Sequence, residues 1–521
     1  NLTCLIRTSR HNLLVPYFLA LLPILIVLAL MLLLRWGGQF AGPVGLLAGI
    51  AVAIIGFGLT PQVFWVSQAK GVLLSLYVLA VLWPALLLYN TVNEAGGIRA
   101  VAHGLKSLIT DHGVLLIVMA WAFSGLLEGL AGFGLPIAVV APMLASLGVA
   151  PVMAVAAVAV GHSWSVTFGD MGVIYQTLVS VVQIDGALLA PAAAIILGIA
   201  CLACGFATAH ILRLGHRWQV VLVLAIAMAV TQGLLAVSGL TALGALGAGI
   251  VGVGGGVLLG NRSMGPQTQR TKNEPMSSSL KAALVTYGAL ALLMTLIALV
   301  QPLRTLLATF VWQADFPAVV TLNGFATPAG TGQVFRPFIH PGTAILLVAI
   351  VSFAVYRRRQ LIQPGAFRSI MASTWRAAAP SSAGILSMVG LAALMDHCGM
   401  TIQLAQGLSA IMGGAFPLVS PLVGMLGAFA TGSNNNSNVL FGSLQKSAAE
   451  MLMIDPRVLI ATQTAGGSLG SMIAPAKIIV GCSTVGAKGR DGDVLRITVP
   501  YGLAIAIGIG LIVLLWTIIV R

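Results

Sequence analysis

Apolar positions run through this chain in blocks of about twenty, the length a helix needs to cross a hydrocarbon layer of ~30 Å. Blocks begin near Leu13, Gln39, Gly71, Gly113, Pro151, Ala187, Trp218 and Leu240, and six more near Ala282, Pro341, Ala378, Ala415, Pro456 and Pro500. The pattern predicts an all-α polytopic membrane protein with about fourteen transmembrane segments. Two blocks, 150–182 and 456–484, exceed one crossing and are interrupted by Gly, Ser and Pro, so each is expected to be a broken helix. Two shorter stretches, 129–148 and 432–450, read as re-entrant hairpins.

Polar linkers are few. Asn261–Lys281 and Tyr356–Arg376, the latter with Arg357, Arg358 and Arg359 in a row, are expected on the cytoplasmic side by the positive-inside rule. Residues 311–342, rich in Gly, Pro and Thr, read as an external loop. The chain thus divides into 1–217, an inserted set of spans over 218–340, and 341–521. No low-complexity segment or signal peptide is read. The first residue is Asn1, not Met, so a few residues are expected to be missing.

Composition agrees with the pattern: 59% of the 521 residues are hydrophobic and 7% charged, against ~25% charged in soluble domains. The formal charge of +14 sits in short stretches between spans, which argues against a nucleic-acid partner and for the lipid bilayer. Cys4, Cys201, Cys204, Cys398 and Cys482 are too scattered for a disulfide framework or a zinc site, and Cys201-x-x-Cys204 reads as helix packing. No cofactor motif is found. Gly252–Gly256 lacks the strand and lysine of a P-loop, and Gly466-Gly-Ser468-Leu-Gly470 lacks the strand-turn-helix of a nucleophile elbow.

The chain repeats itself. An offset of 303 aligns Gly96, Gly104 and Leu105 with Gly399, Gly407 and Leu408. An offset of 305 aligns Pro151, Ala156, Gly161 and Ser163 with Pro456, Ala461, Gly466 and Ser468. Eight spans lie between Gln39 and its counterpart near Gly342, and an even number makes the repeats parallel. Charge argues for inversion: the connector 96–111 holds Arg99 and Lys106, and its counterpart 399–415 holds no Lys or Arg. The count is therefore expected to be off by one between Arg217 and Gly342.

Irregular backbone at membrane depth is tolerated only inside protein or beside a wet cavity, so the breaks mark the candidate site. They supply Gly132 and Gly134; His162, Ser163, Ser165 and Thr167; Thr431, Ser433, Asn434, Asn435, Asn436 and Ser437; and Gly467, Ser468 and Lys477. Small residues admit a ligand, neutral hydroxyls and amides offer donors, and half-helix N-termini favour a carboxylate. The same glycines also suit close helix packing. Among the few intramembrane acids, Glu128, Asp170 and Asp396 are candidates for coupling protons, and Glu128 alternatively caps backbone amides.

These residues resemble the bacterial lactate permease family. The likeness rests on Leu391–Met395, Gly427–Asn434, Ser437–Ser443, Thr464–Gly467, Met472–Pro475 and Gly492–Arg496, and in the first half on Leu88–Asn90, Leu127–Gly129, Ala131–Gly134 and Pro142. It implies a carrier of lactate or glycolate with protons, and, through a distant similarity to hairpin-containing anion symporters, a moving transport domain on a scaffold. Two departures fall in the broken helices. His162-Ser-Trp-Ser165 and Thr167-Phe-Gly-Asp170 stand where that family typically has Asn-Thr-Ala-Pro and Ala-Phe-Gly-Ala, and Ala476-Lys477 stands where Gln-Ser is usual. Asp170 and Lys477 are open to three readings: a buried pair, ligand contacts, or solvated segment ends.

The sequence therefore predicts a bacterial inner-membrane secondary carrier for a small 2-hydroxymonocarboxylate coupled to protons, with an oligomer possible. The alternatives are another short anion, Na⁺ coupling through Asn and Ser oxygens, and, remotely, an anion channel or an intramembrane serine hydrolase at Ser468.

Overall fold

The computed structural model describes residues 2–34, 36–98, 100, 104, 108–130, 132, 134–262, 277–487 and 490–520. Arg99, Lys106, Ala131, Phe133, the linker stretch 263–276 and the side chain of Cys4 lie outside the described residues. Thirteen described helices are long and apolar enough to cross a membrane.

Three helices open the chain: α1 (Leu2–Leu32), α2 (Gly38–Gly56) and α3 (Pro61–Glu94). A helical hairpin follows, with arms α4 (His112–Leu130) and α5 (Leu135–Ser146). The first broken helix is α6 (Pro151–His162) and α7 (Val173–Val182). Then come α8 (Gly186–Ile211), α9 (Trp218–Val237), α10 (Gly244–Arg262), α11 (Ser278–Leu299) and the short amphipathic α12 (Gln301–Ala308). Past a loop with two small antiparallel strand pairs lie α13 (Pro341–Arg358), α14 (Ala366–His397) and the connector α15 (Met400–Met412). The second hairpin is α16 (Phe416–Thr431) and α17 (Asn434–Met451), the second broken helix α18 (Pro456–Gly470) and α19 (Pro475–Thr484), and α20 (Asp491–Val520) closes the chain.

The repeats are inverted. Helices α3 and α14 hold equivalent places, and their contacts run in opposite directions: Gln68 Nε2 donates to Gly390 O (3.2 Å), Trp83 Nε1 to Ser382 Oγ (3.1 Å) and Asn90 Nδ2 to Thr374 Oγ1 (3.0 Å). The packing is reciprocal as well: α7 lies on α17 and α19 on α5, and α8 lies on α18 and α20 on α6. The surplus span is not between Arg217 and Gly342, where α9, α10 and α11 stand as read. It is the block at Gly113, which is the outgoing arm of a hairpin and returns to its starting side. Stretch 129–148 likewise holds only the turn and return arm of the first hairpin, because the arm His112–Leu130 is as apolar as a crossing helix and hydropathy does not separate the two.

Glycine sets the turns. Gly96 and Gly399 (φ +73° and +79°) end the long helices, and Gly134 and Gly432 (φ +82° and +70°) precede the return arms of the hairpins. A side chain rarely adopts that backbone conformation, so the aligned glycines have a physical cause. Gly161 and Gly466 serve packing instead. A Cβ there would stand 2.0 Å from Ala120 O and 1.9 Å from Pro421 O, so each half-broken helix lies against the arm of its own hairpin.

Two polar faces result. Ion pair Arg217–Asp111 (2.7 Å) and the bonds Ser369 Oγ to Glu94 Oε2 and Tyr356 Oη to Ala282 O place Arg217 and the run Arg357–Arg359 on one. Loop 311–340 lies on the other, where Leu322 N–H donates to Gly58 O and Asn323 Nδ2 to Gly56 O.

Gly161→Ala and Gly466→Ala should each abolish monodisperse protein in detergent gel filtration. Gly254→Ala, where a Cβ meets nothing within 4 Å, should leave the elution profile and thermal midpoint unchanged.

Candidate functional site

The broken helices cross one another at their breaks. Ser468 Oγ donates to Ser163 O (2.5 Å), and Thr167 Oγ1 bonds Thr464 O (3.1 Å) and Thr464 Oγ1 (3.0 Å). Asn434 Nδ2, from the second hairpin, donates to Thr167 Oγ1 (3.1 Å) and Thr464 O (3.3 Å), and Asn438 Nδ2 to Thr464 Oγ1 (3.0 Å). All these side chains are buried. They tie the two broken helices and the second hairpin to one another.

That duty removes several expected ligand residues from the site. The side chains of His162, Ser163 and Ser165 turn back onto their own segment, at Val158 O, Ala159 O and His162 O. Ser437 Oγ donates to Gly424 O, and Gly467 is where Asn434 Oδ1 fits, 2.0 Å from a Cβ position. None of these, nor Thr167 or Ser468, lines the central cavity. Thr431 Oγ1 donates to Gly427 O, holding the turn of the second hairpin, and Ser468 Oγ is spent on Ser163 O.

A cavity of about 350 Å³ lies under the tips of both hairpins. The second hairpin brings Ser433, Asn434, Asn435 and Asn436, the first brings Glu128, and the broken helices bring Asp170 and Lys477. Ser433 caps α17, its Oγ accepting from Asn436 N–H (3.4 Å). The N-termini of α7, α17 and α19 all border the space, through Val173, Asn434 and Lys477. Converging positive dipole ends suit an anion. Lys477, in the first turn of α19, is poorly placed for its own helix and well placed for an anion.

At the turn of the first hairpin two carboxylates meet. A Cβ on Gly132 would lie 2.7 Å from both Asp170 Oδ2 and Glu128 Oε1, so only hydrogen fits there and the two acids are neighbours. Gly132 N–H donates to Asp170 Oδ1, so this carboxylate holds the turn of the first hairpin, three residues before α5 begins. Asp170 and Met171 have φ of +49° and +52°, followed by Gly172 at +84°. Two non-glycine residues in that region cost about 1–3 kcal/mol each, and the break holds them so that Asp170 reaches the hairpin. A π-helical turn, Val118–Phe123, precedes Glu128, whose Oε2 is buried without a hydrogen-bond partner.

Lys477 makes no ion pair within 4 Å among the described residues, so the direct Asp170–Lys477 bridge is not formed here. Lys477 instead packs at Gly134, with Cγ 3.6 Å from that Cβ position, and completes a three-charge cluster with Glu128 and Asp170 around the first hairpin tip. Asp396 lies elsewhere. It accepts from Thr401 (2.5 Å) and from Ser443 (3.0 Å) on α17, and lines a smaller hollow of about 140 Å³ with Lys70 and His397.

Sequence reasoning missed the wall across from the hairpins. It consists of Gly37–Gln39 at the start of α2, Leu82 of α3, and Pro380, Ser381, Gly384 and Ile385 of α14. The run Pro380-Ser-Ser-Ala-Gly384 inside an apolar block was the available signal.

Crossing-length helices in inverted repeats, with hairpin tips and broken helices meeting at one polar cavity, define a multi-pass membrane transport protein. The chain belongs to the L-lactate permease family, whose model matches residues 17–520. Glycolate permease GlcA of Escherichia coli (strain K12) is 27% identical over 542 residues, covering 95% of this chain and 94% of that protein. The L-lactate permease of Halalkalibacterium halodurans is 25% identical over 529 residues, with 97% of both chains covered. That of Bacillus subtilis (strain 168) is 24% identical over 539 residues, with 94% of both covered. Among solved structures, the YdaH transporter of Alcanivorax borkumensis aligns with a TM-score of 0.47 at 16% identity, over 90% of this chain and 87% of that one.

Asp170→Asn and Lys477→Gln should each lower the thermal midpoint and uptake, and the double variant should lose less than the sum, with a coupling of about 0.5–3 kcal/mol. Strictly additive losses would show that the charges act independently.

Proposed function

We propose that this protein carries a small 2-hydroxymonocarboxylate, glycolate or lactate, together with protons. The observation that carries the reading is the asymmetry of the two hairpin tips. The turn of the first hairpin already holds a carboxylate, that of Asp170, on Gly132 N–H. The turn of the second, leading into α17, offers Ser433 and three neutral asparagines to the open cavity. A substrate carboxylate at the second tip therefore takes the place that Asp170 takes at the first, with Lys477 as its counter-charge. The volume of about 350 Å³ is at the small end for ligand sites, in keeping with a short acid.

Proton coupling follows from the charge balance. With both carboxyls ionised, Glu128 and Asp170 outweigh Lys477 by one, and an incoming anion adds to that excess in a partly buried space. The anion is accommodated when one carboxyl takes a proton, so the two cargoes bind together. The names of the relatives, lactate and glycolate permeases, favour this cargo.

The structure also suggests the moving part. The hairpins, broken helices, α8–α10 and α20 pack among themselves, and α2, α3, α13 and α14 form a second group, with the cavity between them. The cavity borders the exposed Gly37. Toward the other face, Tyr77 Oη donates to Gln176 Oε1 (3.3 Å) and Asp396 holds Ser443 (3.0 Å). A sliding of one group past the other, as in an elevator, would exchange the open and closed faces.

Na⁺ coupling has one observation in its favour: the side-chain oxygens of Asn434, Asn435 and Asn438 are buried without hydrogen-bond partners. In liposomes, an inward acid gradient should drive accumulation of lactate or glycolate, and Glu128→Gln should keep exchange of preloaded substrate while losing accumulation. Normal accumulation by this variant would place the proton elsewhere, and uptake driven only by a Na⁺ gradient at constant pH would favour the cation reading.

Hydrogen bonds to a charged ligand are worth about 1.5–3 kcal/mol. Asn435→Ala should accordingly weaken substrate binding roughly ten- to hundredfold in equilibrium titration. Ser163→Ala, whose hydroxyl is tied to Ala159 O (2.7 Å), should leave affinity within about twofold.

A further inference from the structure

On the face away from the arginine run there is another hollow, of about 130 Å³. One wall comes from α7 and residues 238–242, the other from the ends of α11 and α12 and the start of α13. Its polar side chains are Gln176, Ser238, Thr241, Arg304 and His340, among the apolar Met294 and Ile297, and no Asp or Glu lines it.

His340 is the unusual member. It is 4% exposed, and neither ring nitrogen has a hydrogen-bond partner. Its ring is held between Tyr77 (centroids 4.6 Å apart) and Phe335 (4.9 Å). Burial pushes the imidazole down to about 4, so near neutral pH it offers one N–H donor and one bare nitrogen. Gln176 spends its carbonyl oxygen on Tyr77, which leaves its amide N–H groups to donate. Arg304 forms no ion pair within 4 Å among the described residues. His340 also stands at the N-cap position of α13, its side chain making no capping bond, so the positive end of an 18-residue helix borders the same space.

A cation without an ion pair among the described residues, neutral donors, a helix N-terminus and no acid describe an anion site, and the apolar floor describes what the anion carries. We propose that this hollow is a second, peripheral binding site for a small monocarboxylate, with Arg304 as charge partner and His340 and Gln176 as hydrogen-bond partners. The bare nitrogen of His340 accepts a hydroxyl where the acid has one. The hollow joins both helix groups and abuts the Tyr77–Gln176 contact, so its ligand bridges the groups in the state where that contact is closed. The assignment stands apart from the central cavity, with which this hollow shares no lining residue.

The test is equilibrium binding of radiolabelled lactate to the purified full-length protein, read as sites per chain. Two sites are expected in the wild type. Arg304→Gln, an exposed position, should weaken the peripheral site at least tenfold and leave the central one intact, and His340→Gln should weaken the same site. Asn435→Ala should affect only the central site, so failure of the central assignment reads out separately. A wild type with no site that Arg304→Gln weakens, or displacement by chloride as effective as by acetate, would overturn the proposal, whereas a single site weakened by Arg304→Gln and untouched by Asn435→Ala would overturn the central assignment alone.

Discussion

Main-chain carbonyls and amides at membrane depth need partners from the protein itself, and the crossing of the two broken helices is where this chain meets that need. Thr167 and Thr464 bond across the crossing, Ser468 bonds Ser163 O, and Asn434 and Asn438 bring in the second hairpin. The breaks gather at one place because each supplies what the others lack. Gly161 and Gly466 let the half-helices press on the hairpin arms closely enough for this to happen.

Two-fold architecture with unlike chemistry at equivalent positions is the second theme. Both hairpins turn at a left-handed glycine and aim a helix N-terminus at the centre. The first tip is satisfied from within by Asp170. The second carries neutral asparagines, and in the proposed cycle the substrate satisfies it. The acids beside the first tip and the lysine of the second broken helix then make the cavity's charge depend on whether anion and proton are both present.

The helix groups also meet away from the cavity, α3 on α7 and α14 on α17. Tyr77 to Gln176 and Ser443 to Asp396 are single hydrogen bonds between groups otherwise in apolar contact. Bonds of this kind contribute about 0.5–1.5 kcal/mol each, small enough to break in a transport cycle. Asp396 is thus better described by its tie to Ser443 than as part of the central site.

Period and length of the apolar blocks by themselves determined a polytopic helical bundle, the duplication, the two broken helices and the residue types at their breaks. Those features are written locally: a block of about twenty apolar residues has one stable use, and Gly with Ser or Asn inside it has few. The distribution of Arg99 and Lys106 against a connector without Lys or Arg already spoke for inversion. Hydropathy did not show that the block at Gly113 turns back, because a hairpin arm buried in protein and a crossing helix are equally apolar. Only the tertiary structure decided which polar residues face a ligand. Thr167, Ser468 and Ser437 look like Ser433 and Asn435 in composition, yet the former face carbonyls of neighbouring helices and the latter an open space. A hydroxyl's partner is chosen by three-dimensional proximity between segments, some three hundred residues apart for Thr167 and Ser468, and no local pattern encodes it.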